Sequence, residues 1–245
     1  MEKYKGKLWE HIEGQKYLQT QLELAVALHN HGSRTKEAIK IINSVLEEDP
    51  SDHLLARHRL LRCYLDLAEA DKARDLLERY PDDHHCCFCY SRALIEHISC
   101  LLEEEGSSEA LKNNALMKAY EANPYALWML VYNEDFEELS RLLASDTTSV
   151  DAREGSIDDA ISFLDIDNIL WVDTDGALDW IREFADKNGL VPVSHSDDDA
   201  HPAVEDESGD AVSSVDNYSS IRQEFIDLYN NMVDSYSSQE ETAAK

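Results

Sequence analysis

Glycine and proline are scarce in this chain, 8 and 5 among 245 residues. So few turn formers exclude a turn-rich all-β domain and favour helices. Long apolar runs are missing too, and none approaches the roughly 20 residues that a membrane-spanning helix needs. The opening Met-Glu-Lys-Tyr-Lys-Gly-Lys has no apolar stretch behind it. No secretory signal is therefore expected, and the expected location is the cytoplasm, with the nucleus as the other choice. Basic side chains are in short supply: 22 Lys and Arg against 51 Asp and Glu leave a formal net charge of −29. After residue 118 the imbalance is 6 basic to 30 acidic. A field of that sign repels phosphate backbones and anionic lipid, so neither nucleic acid nor membrane insertion is expected. Cysteine is odd in number (Cys63, Cys86, Cys87, Cys89 and Cys100), which reads as free thiols rather than a disulfide framework.

What the chain does have is apolar residues, 43% of the total, recurring at helical spacing. From Gln15 to His31, one face carries Leu18, Leu22, Ala25, Val26 and His29. After Gly32-Ser33 come Ala38, Ile39, Ile42, Val45 and Leu46, closed by Asp49-Pro50. Leu54, Leu61, Leu65 and Ala68 mark a third helix, and Ala73, Leu76, Leu77 and Tyr80 a fourth that stops at Pro81. Counted from Gln19 in units of 34, Leu22, Ala25, His29, Ala38, Ile42, Val45 and Pro50 take the large, small and Pro positions of a tetratricopeptide pattern. Leu60, Leu61, Tyr64, Ala73 and Leu77 repeat it. Tyr90, Ala93, Leu94 and His97, with Leu116, Ala119 and Pro124, repeat it more loosely around an extra Glu103–Gly106 stretch. Small residues let antiparallel helices approach closely, and a helix pair without its own core must stack on its neighbours. Ser51 or Asp52, and Ser107, are the expected N-caps.

The expectation is an all-α, tetratricopeptide-like helical-hairpin solenoid over residues 1–189, of roughly ten helices. Ala126, Leu127 and Leu130 mark the seventh helix, and Phe136, Leu139, Leu142 and Leu143 the eighth. Ile157, Ala160, Ile161 and Leu164 mark the ninth, and Ala177, Leu178, Ile181, Phe184 and Ala185 the tenth. Lys187-Asn188-Gly189 followed by Pro192 reads as its C-cap, and Trp171 and Trp180 should pack this pair onto earlier helices. Residues 190–217, rich in Asp, Glu and Ser, read as a disordered acidic linker. Residues 218–237 read as an amphipathic C-terminal helix, with Ile221, Phe225, Leu228, Met232, Val233 and Tyr236 on one face that needs something to dock on. Docking in cis is one option, tuned by phosphorylation of Ser194 and Ser196.

Motifs for catalysis are thin. Asp83-His84-His85-Cys86 spells the signature of the protein acyltransferases, but without the zinc-bound cysteine-rich surroundings and membrane helices that give it meaning. His84, His85, Cys86 and Cys89 are a candidate zinc or thiol cluster, with His85 and Cys89 one helical turn apart, yet they lack paired Cys-x-x-Cys spacing. Asp173-Thr174-Asp175-Gly176 imitates a calcium loop whose first and twelfth ligands would be Trp171 and Arg182, so calcium is rejected. No phosphate loop or nucleophile elbow occurs, and no catalytic residue, enzyme activity or cofactor is expected. The densest basic patch, His53, Arg57, His58, Arg59 and Arg62, lies on one helix and its approach. It is either a peptide-binding site, with His53, Arg57, Arg59 and Arg62 as contacts, or a set of internal ion pairs. Glu23 and Ala27 stand where chaperone-binding tetratricopeptide domains carry Lys and Asn, which argues against a carboxylate clamp.

Leu8-Trp9-Glu10-His11-Ile12-Glu13 followed by Tyr17-Leu18 resembles the opening of a group of uncharacterised tetratricopeptide-like proteins. Pro50, Asp52 and Arg57 match that group's next motif, and Ala122-Asn123-Pro124-Tyr125 resembles its third-unit ending. Gly155-Ser156, Ala160-Ile161, Trp171 and Gly176-Ala177-Leu178-Asp179-Trp180 resemble its closing segment, which is similar to that of the suppressor of tumorigenicity seven family. The resemblance spans about residues 8–184. It implies a helical-repeat scaffold with no assigned enzymatic activity.

Overall fold

The computed structural model describes residues 6–131 and 153–190. Among them are nine α-helices and no strand: α1 (Ile12–Asn30), α2 (Thr35–Glu48), α3 (Ala56–Asp66), α4 (Ala70–Arg79), α5 (Cys86–Leu101), α6 (Glu109–Ala122), α7 (Pro124–Val131), α8 (Ile157–Asp173) and α9 (Ala177–Asn188). A single 3-10 turn, Leu8–Glu10, precedes α1. The helix expected around Phe136–Leu143, the acidic linker and the C-terminal amphipathic helix lie outside the described residues.

The first six helices pair as α1/α2, α3/α4 and α5/α6, and each hairpin packs on the next. The small-residue positions are where the pairing occurs: Ala25, Ala38, Ala73, Ala93 and Ala119 are all fully buried. A larger side chain at any of these crossings would hold the axes apart. The large partners Ile42, Leu60, Leu61, Leu94 and Leu116 are buried beside them, each contributing about 1.5–3 kcal/mol of burial energy.

Helix ends follow local chemistry. Asp52 caps α3 from outside, its carboxylate accepting from Ala56 N at 2.6 Å and Arg57 N at 3.1 Å. Ser108, not Ser107, caps α6, with its hydroxyl accepting from Leu111 N. Ser107 N instead closes a turn on Glu104 O, which shifts the helix start by one residue. Ser156 caps α8 through Asp159 N. Gly189, at φ +63, ends α9, with Leu190 N bonded to Ala185 O and Gly189 N to Asp186 O, the double closure of a Schellman motif.

Helix α5 divides the interior. Phe88 and Ile95 join a core built from the first two hairpins, while Cys86, Tyr90, Ala93 and Leu94 join a second core with α6, α7, α8 and α9. In this second core Trp171 lies 6.2 Å from Tyr90, and Trp180 stacks on His97 and donates from Nε1 to Asn113 Oδ1. The two tryptophans thus fix the last helix pair against α5 and α6. Helix α8 also packs against α3, which places it on the side formed by α1, α3 and α5.

Candidate functional site

Helices α1, α3 and α5 are the leading helices of the three hairpins, and their common side faces α8 across a groove of about 1210 Å³. Helix α1 supplies Gln19, Leu22, Glu23, Val26, Ala27 and Asn30, which share one face at three- and four-residue spacing. The approach to α3 supplies His53, Leu54 and Leu55, and α3 itself His58 and Arg59. Cys87 with His85 comes from α5 and its approach. Asp159, Ser162, Phe163, Ile166 and Asp167 form the opposing wall on α8. The lining is mixed: aliphatic patches are interrupted by Arg59, Arg153 and three imidazoles on one count, and by Glu23, Glu154, Asp159 and Asp167 on the other.

The loop under this groove is held in a costly conformation. Asp52 and Leu55 both have φ near +51, the left-handed region that costs a side-chain-bearing residue roughly 1–2 kcal/mol. The Asp52 carboxylate compensates by bonding the first amides of α3 and the Arg57 guanidinium. His53 lies flat on Trp9, centroids 4.7 Å apart, and its Nδ1 is 2.8 Å from Asp49 Oδ1.

The four residues expected to bind peptide divide into two pairs. His53 and Arg59 line the groove. Arg57 and Arg62 stand behind it and hold internal carboxylates. Arg57 donates from Nε to Asp83 Oδ2 at 2.6 Å and from Nη1 to Asp52 Oδ2 at 2.9 Å. Arg62 donates to Asp66 Oδ1 at 2.8 Å, to Asp167 Oδ1 at 3.1 Å and to the Ile166 carbonyl, and so straps α8 to α3. Burial pushes the Asp167 carboxyl up to about 7, against the pull of the Arg62 and Arg59 charges.

Of the four residues expected as a zinc or thiol cluster, only His85 belongs to a convergent group. The His84 ring is exposed, and its backbone N–H donates to Glu154 Oε1. Cys86 is fully buried, and burial together with nearby Asp159 pushes its thiol well above the ordinary range. Burial also pushes the Cys89 thiol up to about 11. Both shifts disfavour a thiolate near neutral pH, the opposite of the lowered thiol that a nucleophilic cysteine carries.

The group that does converge is His58, Asp83 and His85, with one ligand atom from each lying within 4.8 Å of the others. Burial lowers His58, and its bond to Asp83 works the other way. Burial also opposes charging of His85, but Asp83, Asp159 and Glu154 outweigh it and raise the imidazole. Asp83 is held well below the usual carboxylate range: burial would raise it, but His58, His85 and Arg57 all bond to it. His58 and His85 are 27 positions apart, on separate hairpins, so no local spacing in the sequence could have paired them.

Against known proteins, residues 18–85 match the family model described as Tetratricopeptide repeat, a span running from α1 to the loop before α5. That segment is a tetratricopeptide-like unit. No curated protein matches the chain, and no solved structure does. Among the described residues no helix is long and apolar enough to cross a membrane.

Proposed function

We propose that the chain is a non-enzymatic interaction scaffold that receives a peptide or a helix from a protein partner in the groove between α1 and α8. The carrying observation is the groove itself, a single channel to which all three hairpins and α8 contribute side chains. Tetratricopeptide repeats in general mediate protein association, which supports the same reading for residues 18–85. Five free thiols agree with work in the cytoplasm or nucleus.

Within this reading His53 and Arg59 touch the partner, while Arg57 and Arg62 hold the wall in place. The test is a pull-down from native cells with groove variants. Partners captured by the unaltered protein should be lost by Val26→Glu with Arg59→Glu and kept by Asp75→Lys on exposed α4. Retention of every partner by the groove variant would defeat the proposal. Reversing Arg57 and Arg62 is the weaker experiment, because it strands the buried carboxylates of Asp83 and Asp167.

A competing occupant is the chain's own segment 218–237, whose apolar stripe is the kind of face a groove accepts. Deleting residues 190–245 should then raise partner affinity, and an unchanged affinity would exclude this occupant.

A further inference from the structure

We propose that His58, Asp83, His85 and Glu154 form a zinc site that clamps the second hairpin, the loop before α5 and the loop before α8 together. Three observations carry it. His58 Nε2 is 2.9 Å from Asp83 Oδ2, and His85 Nδ1 is 3.0 Å from Asp83 Oδ1 and 3.3 Å from Glu154 Oε1. Ligands around a tetrahedral zinc stand about 3.3 Å apart, from metal–ligand bonds of about 2.0–2.1 Å. One donor atom each from His58, Asp83 and His85 already lies within 4.8 Å of the others, and Glu154 Oε1, beside His85 Nδ1, would move in as the fourth. Two imidazoles with two carboxylates is also a donor set that suits zinc.

The second observation is a mismatch of donors and acceptors. His85 Nδ1 faces two carboxylate oxygens, yet carries one proton at most and can serve only one of them. Asp83 Oδ1 meanwhile already accepts from the backbone N–H of His85. A dication replacing the shared protons would coordinate both imidazole nitrogens through their lone pairs and balance both carboxylates at once. The third observation is the setting. Asp83 is almost wholly buried and is steadied at Oδ2 by Arg57, as a metal-binding carboxylate is usually steadied by an outer partner. Arg57 shares its charge with Asp52, so the cation would not meet an uncompensated guanidinium. His58, His85 and Glu154 also line the groove, which gives the ion a path in from solvent.

The site requires nothing from the groove's partner, so it stands or falls apart from the scaffold reading. The experiment is titration of chelator-stripped, full-length protein with zinc chloride against a chromophoric chelator. One equivalent should bind with Kd below about 1 µM, raising the melting temperature by mass action. Cobalt in its place should give the intense visible bands of a tetrahedral site. Glu154→Gln, at a half-exposed position, should weaken zinc by at least about tenfold without unfolding the chain, and His58→Asn with His85→Asn by at least about 100-fold. His84→Ala should leave affinity unchanged, because that ring lies outside the cluster. Binding weaker than about 10 µM would overturn the site. So would a Glu154→Gln protein that holds zinc as tightly as the unaltered one, or equal loss in His84→Ala.

Discussion

His29 Nε2 on α1 lies 2.5 Å from Asp66 Oδ2 at the end of α3, a direct bond between the leading helices of the first two hairpins. Asp66 also accepts from Arg62, so the contact continues through that guanidinium to α8. The hydrogen bond to Asp66 is the main cause that raises His29 from 6.5 to about 9. A histidine raised on folding stabilises the protein in its protonated form. Its contribution is complete below the unfolded value of 6.5 and fades as the pH climbs through about 9. Urea unfolding should find His29→Gln less stable than the unaltered protein by about 1–2 kcal/mol below about pH 6, a figure discounted for the water that reaches the pair. The gap should close above about pH 10, and a constant gap would refute the assignment.

Gly14 is required by a close approach of backbone to backbone. A Cβ at this position would lie 2.0 Å from the Leu8 carbonyl oxygen, in the 3-10 turn that α1 packs against. Alanine is the better helix former by about 1 kcal/mol, but the turn would have to move. Gly14→Ala should therefore lower stability by about 1–3 kcal/mol and disturb the stacking of Trp9 on His53. A melting curve and the tryptophan emission check both, and a higher melting temperature would count against this packing.

Asn123, fully buried at the corner between α6 and α7, fastens the α8 loop to the third hairpin. Its Nδ2 donates to Ser156 O at 2.8 Å and Asp159 Oδ2 at 3.4 Å, and its Oδ1 accepts from Tyr125 N at 3.1 Å. Asn123→Ala should cost about 2–4 kcal/mol by denaturant midpoint, because it strands buried partners. Asn114→Ala on the exposed side of α6 should stay within about 0.5 kcal/mol.

The thiols should separate by burial. Cys63 and Cys86 are fully buried, whereas Cys100 is half-buried. Alkylation of the folded protein, read by mass spectrometry, should mark Cys100 first and leave Cys63 and Cys86 free until denaturant is added. Fast labelling of Cys86 would reopen a thiol chemistry for the Asp83–Cys86 tetrapeptide.

The hairpin stack was legible because its signal is local. Ala25, Ala38, Ala73, Ala93 and Ala119 recur at helical and repeat spacing, and each is a helix crossing. The Gly189 closure was legible for the same reason. The N-cap at residue 107 missed by one position, since either of two adjacent serines could cap and only the Glu104 turn decides between them. The partners of Arg57 and Arg62 were not legible, because Asp83 and Asp167 reach them only through tertiary packing. Periodicity also says nothing about which side of a stack a later helix takes, so the place of α8 as a groove wall, set by tertiary packing, was not legible.

Helix α8 has a consequence for breakdown of the chain. Phe163 and Trp171 lie against Tyr90, with ring centroids 5.3 and 6.2 Å away, so Tyr90 of the third hairpin borrows its covering from sequence more than sixty residues downstream of it. A protease cutting between residues 131 and 153, followed by loss of the downstream piece, would leave an amino-terminal fragment with a raw aromatic seam along α5. Such a fragment would self-associate or be cleared by chaperones rather than persist as a smaller working scaffold.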